Sequence, residues 1–195
     1  MPMEIATAQE GKRLKINLSQ KGILIGLTIF LFFEAGLLFL IIRHYQPSPA
    51  KVQTRPAFLR LEPATGTFKV GQEFAVKVMV DTGDFETDAT DVRLNFDPTA
   101  VVVTQIVPGQ IYDDYPAKRV DNATGLAVIN GITSLTRTYK GKDTFATLMM
   151  KGLKKGKAVL LLEFSPGATN DCNVVATKIA KDVLEQAEGA SFEIE

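Results

Sequence analysis

The sequence contains no tryptophan, one cysteine and one histidine among its 195 residues. The single cysteine, Cys172, excludes an intrachain disulfide. The single histidine, His44, excludes an intrachain multi-histidine metal site and leaves no Ser–His or Cys–His catalytic pair beyond residue 44. Neither a P-loop nor a glycine-rich dinucleotide motif is present. These absences remove the short motifs by which many hydrolases and nucleotide-binding enzymes are recognised.

The formal net charge is zero, but it is divided unevenly along the chain. Residues 1–56 carry seven basic and three acidic side chains, whereas residues 57–195 carry 15 basic and 19 acidic side chains. A mildly acidic domain behind a basic segment argues against nucleic acid as the partner.

An apolar run of 20 residues extends from Ile23 to Ile42. As a helix it would be about 30 Å long, which matches the hydrocarbon core of a bilayer. The apolar region of a cleaved signal peptide is shorter and is followed by small residues, whereas this run ends in Arg43-His44-Tyr45. We therefore predict a retained single-pass anchor in the cell membrane.

Glu34 lies near the middle of this run. An ionised carboxylate there would cost about 2.5–3.5 kcal/mol on insertion scales. Two interpretations stay open: a contact between transmembrane helices, or a polar residue that a single span tolerates.

Four basic residues precede the span closely and a proline-containing segment follows it, which predicts that the N-terminus is cytoplasmic and the domain extracellular. The predicted organisation is a basic tail (1–22), a transmembrane helix (23–42), a tether (43–57) and a folded domain (58–195).

From residue 57 onward, apolar residues recur with a period of two. Many short strands separated by Gly, Pro, Asn and Asp turns predict an all-β sandwich of about nine strands. One helix is predicted at residues 176–186, where Ile179 and Val183 could form an apolar stripe. The predicted strands are 58–61, 73–81, 92–96, 100–107, 126–132, 144–150, 158–164 and 191–194.

The domain resembles a cohesin domain over about residues 58–195. The resemblance rests on the order and spacing of four segments: FKVGQEFAVKVMVDTGD, DVRLNFDPTAVVVTQIVPGQIY, TFATLMMKGLKKGKAVLLLEFSPGATND and ASFEIE. It implies a jelly-roll β-sandwich, related in shape to some carbohydrate-binding modules. It also implies a non-catalytic role at the cell surface, in which the domain binds a dockerin-like protein, as in the cellulosomes that recruit polysaccharide-degrading enzymes.

Carbohydrate binding linked to polysaccharide metabolism is the nearest alternative. Sandwich modules of that kind usually stack sugars on a row of exposed aromatic rings. The domain offers no Trp and only Tyr112, Tyr115 and Tyr139, so a protein partner is favoured.

Asp81-Thr82-Gly83 has the form of an aspartic protease loop. That enzyme needs two aspartates sharing one proton, so a single Asp-Thr-Gly would require a homodimer. The favoured interpretation is a turn in which Gly83 adopts a positive φ and Asp81 or Thr82 caps the backbone.

Two acidic segments are candidate calcium sites, since carboxylate and amide oxygens are the ligands that Ca²⁺ prefers. Asp84-x-Glu86-x-Asp88 begins like an EF-hand loop, but the glycine and the bidentate glutamate are missing. The candidates Asp171, Asn173 and Asp182 fit a calcium cage or the cap of the predicted helix. No cofactor is otherwise expected. The lysines of the KGLKKGKA segment, at 151, 154, 155 and 157, are predicted to lie on a solvated hairpin rather than to bind phosphate.

Overall fold

The computed structural model describes residues 20–44 and 54–195, which form one helix and thirteen strands. Residues 1–19 and 45–53 lie outside the described residues, and most of the predicted tail and tether falls there. The chain divides into two units at Val52, of which one contains the helix and the other the strands. The elements are α1 (Gln20–His44), β1 (Ala57–Glu62), β2 (Thr65–Phe68), β3 (Glu73–Asp81), β4 (Thr87–Phe96), β5 (Val101–Pro108), β6 (Asp114–Asp121), β7 (Leu126–Ile132), β8 (Lys142–Gly152), β9 (Gly156–Leu162), β10 (Asn173–Ala176), β11 (Lys181–Asp182), β12 (Leu184–Glu188) and β13 (Ala190–Ile194).

The helix α1 contains the predicted apolar run. Its segment Gly22–His44 is long and apolar enough to cross a membrane, with a mean hydropathy of 2.5, and a signal sequence would meet the same criterion. It is the one such helix among the described residues. From Ile23 to Ile42 the chain offers only Glu34 and Thr28 as polar side chains, and the Thr28 hydroxyl donates to the Leu24 carbonyl at 2.9 Å.

The strands form two sheets that enclose one apolar core, so the predicted all-β sandwich is confirmed. The first sheet has the order β12-β1-β3-β8-β5. The second has the order β11-β10-β4-β9-β13-β2, and it continues through β7, which pairs with β4, to β6. The core lies between them because each strand turns its apolar side inward, as β3 does with Val76, Val78 and Val80, all fully buried.

The predicted helix at residues 176–186 is wrong. That segment contains the end of β10, a turn at 177–180, β11 and the start of β12. Its two ends are held in different sheets, since β10 pairs with β4 and β12 pairs with β1. Ile179 is half exposed rather than part of an apolar stripe. Long-range pairing has overridden a local helical pattern.

Other differences from the prediction concern short edge strands. No strand is predicted at Thr65–Phe68, yet this segment forms β2, which pairs in parallel with β13. The strand β6 was not predicted, because it contains Pro116 and mostly polar residues and lies at the edge of its sheet.

Candidate functional site

The second sheet has one face in the core and one in solvent, and β6, β7, β4 and β9 are consecutive neighbours within it. We call the outward side of these four strands the four-strand face. Antiparallel pairing places Arg93 of β4 beside Val128 of β7, and Val128 beside Arg119 of β6. Asn95 of β4 lies between Leu161 of β9 and Leu126 of β7. The side-chain period of two directs the intervening residues, such as Leu94 and Ile129, into the core.

A polar cluster occupies the centre of this face. Arg93 Nε donates to Glu163 Oε2 at 2.8 Å, and Asn95 Nδ2 donates to the other carboxylate oxygen of Glu163. The hydrogen bond from Arg93 is the largest of the effects that hold the pKa of Glu163 below its usual value. Both charged side chains are about one-third exposed, so the cluster is ordered and still accessible to a partner.

Buried Cys172 forms hydrogen bonds with the backbone of Arg93, a member of the cluster. The partner of β4 changes along its length, from β10 at residues 87–91 to β9 at residues 94–96. Arg93 lies in the gap, and its backbone N–H donates to Cys172 Sγ at 3.3 Å while the thiol donates to the Arg93 carbonyl at 3.4 Å. Burial raises the pKa of Cys172 to about 12. The thiol is therefore an inert structural group rather than a nucleophile.

Apolar side chains are exposed on the same face as the polar cluster. Among the described residues, four large apolar side chains that lie within strands of the domain are strongly exposed, and three of them belong to this face: Ile132 at 41%, Val159 at 39% and Leu161 at 57%. The fourth, Val107 at 42%, lies on the first sheet. Exposed apolar groups around accessible hydrogen-bonding groups are the usual composition of a protein-binding surface.

The strand β6 brings the basic side chain of Arg119 to the edge of the face, with Asp121 two residues away on the same side. Arg119 forms no ion pair with any residue that the structure describes, whereas Lys118 donates to the Tyr115 carbonyl at 2.8 Å. One shallow groove is lined by the basic Arg93, Lys118 and Arg119, the acidic Asp121 and the apolar Val120, Leu126 and Val128. This groove can receive an acidic or hydrogen-bonding group next to an apolar one.

The Asp81-Thr82-Gly83 segment forms the predicted turn after β3. Gly83 has a φ of +62°, and Asp81 Oδ1 accepts a hydrogen bond from its N–H at 3.0 Å. The other carboxylate oxygen of Asp81 accepts from Arg55 at 2.9 Å. The Thr82 hydroxyl is buried and accepts from the Gly141 N–H at 3.0 Å. Each side chain is thus used in holding the turn together.

The residues of the EF-hand-like segment do not converge. Asp84 accepts from the Arg55 N–H at 2.7 Å, Glu86 forms an ion pair with Lys178 at 3.1 Å, and Asp88 belongs to β4. Among the described residues, no group of three or more His, Cys, Asp or Glu side chains is placed to hold a metal ion.

The three other calcium candidates contact the backbone around β10. Asp171 accepts from the Ser165 N–H at 2.6 Å, and Asn173 donates to the Asp171 carbonyl at 2.9 Å. Asp182 Oδ1 accepts from the N–H groups of Val174 and Leu184 at 2.9 and 3.0 Å. Asp182 therefore caps strand ends, and Asn173 begins β10 instead of capping a helix.

The tyrosines considered for sugar stacking are not available on a surface. Tyr112 and Tyr115 are buried, and their rings pack against Phe145. Tyr139 is half-buried and packs edge-on against Tyr112. An exposed row of aromatic rings is therefore not formed by these three residues.

The lysines of the KGLKKGKA segment lie on and around the β8–β9 hairpin, as predicted. Lys154 and Lys155 are exposed in the connection between the two strands.

The four-strand face was not identified from the sequence. In the sequence, Arg93 and Asn95 alternate with Val92 and Leu94, which indicates one outward side of a strand. Periodicity does not show which strands are neighbours. The contact between Arg93 and Glu163 spans 70 residues of sequence.

No protein-family model matches this chain, and no curated protein matches it. Among solved structures, those of 33 chains are similar. One is the third cohesin of ScaC from Acetivibrio cellulolyticus, in complex with the ScaB dockerin, with a TM-score of 0.59 and 14% identity over 71% of this chain and 98% of that one.

Two further structures come from other organisms. The OlpC cohesin of Clostridium thermocellum, solved in complex with a dockerin, has a TM-score of 0.56 and 15% identity over 76% of this chain and 99% of that one. A non-cellulosomal cohesin of the archaeon Archaeoglobus fulgidus has a TM-score of 0.54 and 10% identity over 72% of this chain and 91% of that one. At these identities the comparison establishes the fold, and the β-sandwich domain of this chain has the cohesin fold, as the sequence resemblance predicted.

Proposed function

We propose that this chain is a membrane-anchored module, displayed outside the cell, that binds a dockerin-like protein through its four-strand face and performs no catalysis. The observation that carries the proposal is the cohesin fold, because several similar structures are complexes of a cohesin with a dockerin. The surface found on this particular chain supports it.

The composition of the face favours a protein partner over a polysaccharide. Burying Leu161, Val159 and Ile132 against a partner would remove apolar area from water, while the Arg93–Glu163–Asn95 cluster supplies directional hydrogen bonds. A polysaccharide site would instead need exposed rings, and Tyr112 and Tyr115 are buried.

The geometry around Asp81 supports a binding role rather than a proteolytic one. Both carboxylate oxygens have partners, Arg55 and the Gly83 N–H. A protease dyad would require the corresponding aspartate of a second copy to approach this carboxylate, and the ion pair with Arg55 would have to break.

Display outside the cell is supported by the apolar helix and by the four basic residues that precede its span. The test is trypsin added to intact cells. We expect the domain to be released by cleavage between Gln46 and Arg55, since Lys51 offers a site before the folded domain begins. A domain that is degraded only after the cells are opened would show that the orientation is inverted.

The binding proposal is tested with the soluble domain, residues 54–195, and the dockerin-type domains encoded in the genome of origin as probes. Leu161→Asp places a charge in the apolar part of the face, and we expect it to weaken binding by about thirtyfold or more. The matched control is Val107→Asp, because Val107 is similarly exposed but lies on the first sheet.

We expect Val107→Asp to bind like the wild type. If the two variants weaken binding equally, the four-strand face is not the interface. If none of the dockerin-type domains binds the wild-type domain, the proposed partner class is wrong.

A further inference from the structure

The helix α1 carries a stripe of aliphatic residues with one carboxyl group in it. The spacing along this stripe alternates between three and four residues, which is the spacing of a helix–helix seam. At 100° per residue the stripe covers an arc of about 100°. The four phenylalanines and three glycines of α1 lie outside that arc. We call the stripe the seam, and its members are Leu24, Leu27, Leu31, Glu34, Leu38 and Ile41.

Glu34 has no polar neighbour on its own helix. The positions one turn away on either side are Phe30, Leu31, Leu37 and Leu38. The Thr28 hydroxyl already donates its proton to the Leu24 carbonyl. Glu34 lies eight residues before Ile42, so the carboxyl group is about 12 Å along the helix from the nearer end of the apolar run. A glutamate side chain is too short to reach water from that depth.

A polar group in hydrocarbon without a hydrogen-bond partner is strongly unfavourable. The carboxyl group of Glu34 must therefore be satisfied from outside its own helix. The seam indicates where the partner lies, because Glu34 belongs to it and aliphatic seam residues precede and follow Glu34 along the helix.

We propose that the seam pairs with the seam of a second copy of this chain, as parallel helices whose Glu34 carboxyl groups hydrogen-bond to each other. The proposal rests on the membrane anchoring of the proposed function. Two copies inserted with the same topology carry Glu34 at the same depth. An uncharged carboxyl group both donates and accepts, so two of them related by a two-fold axis satisfy one another.

The seam is self-complementary in the same way. Leucine side chains spaced three and four residues apart pack into the gaps between the same side chains of a second copy, as knobs into holes. A single polar residue in such a seam fixes the register of the two helices. A paired anchor would hold two β-sandwich domains side by side. Partners that carry two binding sites would then bind with higher avidity than a single domain allows.

The test uses the full chain reconstituted in lipid vesicles, with self-association measured by energy transfer between labelled copies. We expect Glu34→Leu to weaken association by about three- to thirtyfold, because leucine packing alone is matched by lipid. Glu34→Gln should retain most of the association, since an amide also donates and accepts. Phe32→Leu changes a side chain outside the seam and should have no effect.

Oxidative crosslinking tests the geometry independently. Ile41→Cys, in the seam, should form a disulfide between copies faster than Phe39→Cys, which lies on another side of the helix. The native Cys172 is buried and does not interfere. Equal association of Glu34→Leu and the wild type, or equal crosslinking at the two positions, would overturn the inference.

Extraction of the membranes at alkaline pH separates this inference from the proposed function. A chain that stays in the membrane while Glu34→Leu associates normally overturns the pairing alone. A chain that is extracted overturns the anchoring and the pairing together.

Discussion

The buried hydroxyl of Tyr112 forms hydrogen bonds in the core that lies under the four-strand face, and their contribution to stability can be measured. It lies 2.7 Å from Thr90 Oγ and 3.0 Å from Thr87 Oγ, while Thr87 Oγ also donates to the Tyr139 carbonyl at 3.0 Å. Because Thr87 uses its only proton on that carbonyl, Tyr112 must donate to Thr87. Tyr112 therefore accepts from Thr90.

Tyr112→Phe removes the two hydrogen bonds and leaves the fully buried Thr90 hydroxyl without its acceptor. We expect the free energy of unfolding to fall by about 1–3 kcal/mol. Most of this loss arises because the Thr90 hydroxyl, hydrated in the unfolded chain, would be buried in the folded variant without a hydrogen-bond partner. In thermal unfolding this corresponds to a lower Tm, by roughly 2–4 °C per kcal/mol for a domain of this size.

The assay is urea denaturation of the soluble domain, followed by circular dichroism because the chain has no tryptophan. Thr90→Val removes the orphaned group while keeping the side-chain shape. The double variant of Tyr112→Phe and Thr90→Val should therefore cost less than the sum of the two single variants, with a coupling of about 0.5–3 kcal/mol.

Tyr115→Phe is the matched control, because Tyr115 is equally buried and its hydroxyl has no hydrogen-bond partner among the described residues. Burial raises the pKa of Tyr115 to about 12. We expect this variant to be neutral or stabilising. Additive single effects at Tyr112 and Thr90, or an equal loss for Tyr115→Phe, would refute the proposed network.

Three further predictions concern the turn, the thiol and calcium. Gly83→Ala should lower the free energy of unfolding by more than about 2 kcal/mol, because its φ is +62° and an added Cβ would lie 2.1 Å from the Arg55 carbonyl oxygen. Because the pKa of Cys172 is raised from 9.0 to about 12, the thiolate forms first in the unfolded chain as the pH rises. Its contribution to stability is thus complete below pH 9 and is lost toward pH 12, by about 1.4 kcal/mol per pH unit. Millimolar Ca²⁺ should shift the Tm by less than about 1 °C, whereas an occupied site at a hundredfold excess over its Kd would add about 2.7 kcal/mol.

The controls and contradicting outcomes differ among the three. Gly167→Ala tests φ strain alone, since its φ is +82° with open space around the added Cβ; a loss equal to that of Gly83→Ala would contradict the close approach. Cys172→Ala should flatten the stability profile between pH 9 and 10, and an unchanged slope would show that the thiol titrates normally. A Tm rise of several degrees with calcium, reversed by a chelator, would contradict the third prediction and make Asp171, Asn173 and Asp182 candidate ligands again.

The central strands could be predicted because their burial is local in sequence. The bounds of β3 and β7 match the predicted ranges, since both strands alternate buried and exposed residues along their whole length. The segment from Ala176 to Leu184 could not be predicted in this way. Its alanines and its Ile179–Val183 spacing favour a helix locally, and only pairing with β4 and β1 makes its ends into strands.

The candidate site was even harder to predict from local sequence than the segment from Ala176 to Leu184. The sequence identified residues with recognisable chemistry, such as Asp81 and Asp182, and these hold turns and strand ends together. The four-strand face consists of ordinary side chains, among them Arg93, Glu163 and Leu161. They form a surface only because β4 brings β7 and β9 to its two sides, and that arrangement is a property of the topology.

Amide hydrogen exchange of the domain, measured free and in complex with a dockerin-type domain that binds it, shows which sheet forms the binding surface. We expect protection to increase along β4, β6, β7 and β9 and to stay unchanged in β1, β3 and β5. Protection confined to the first sheet, with the four strands unaffected, would contradict it.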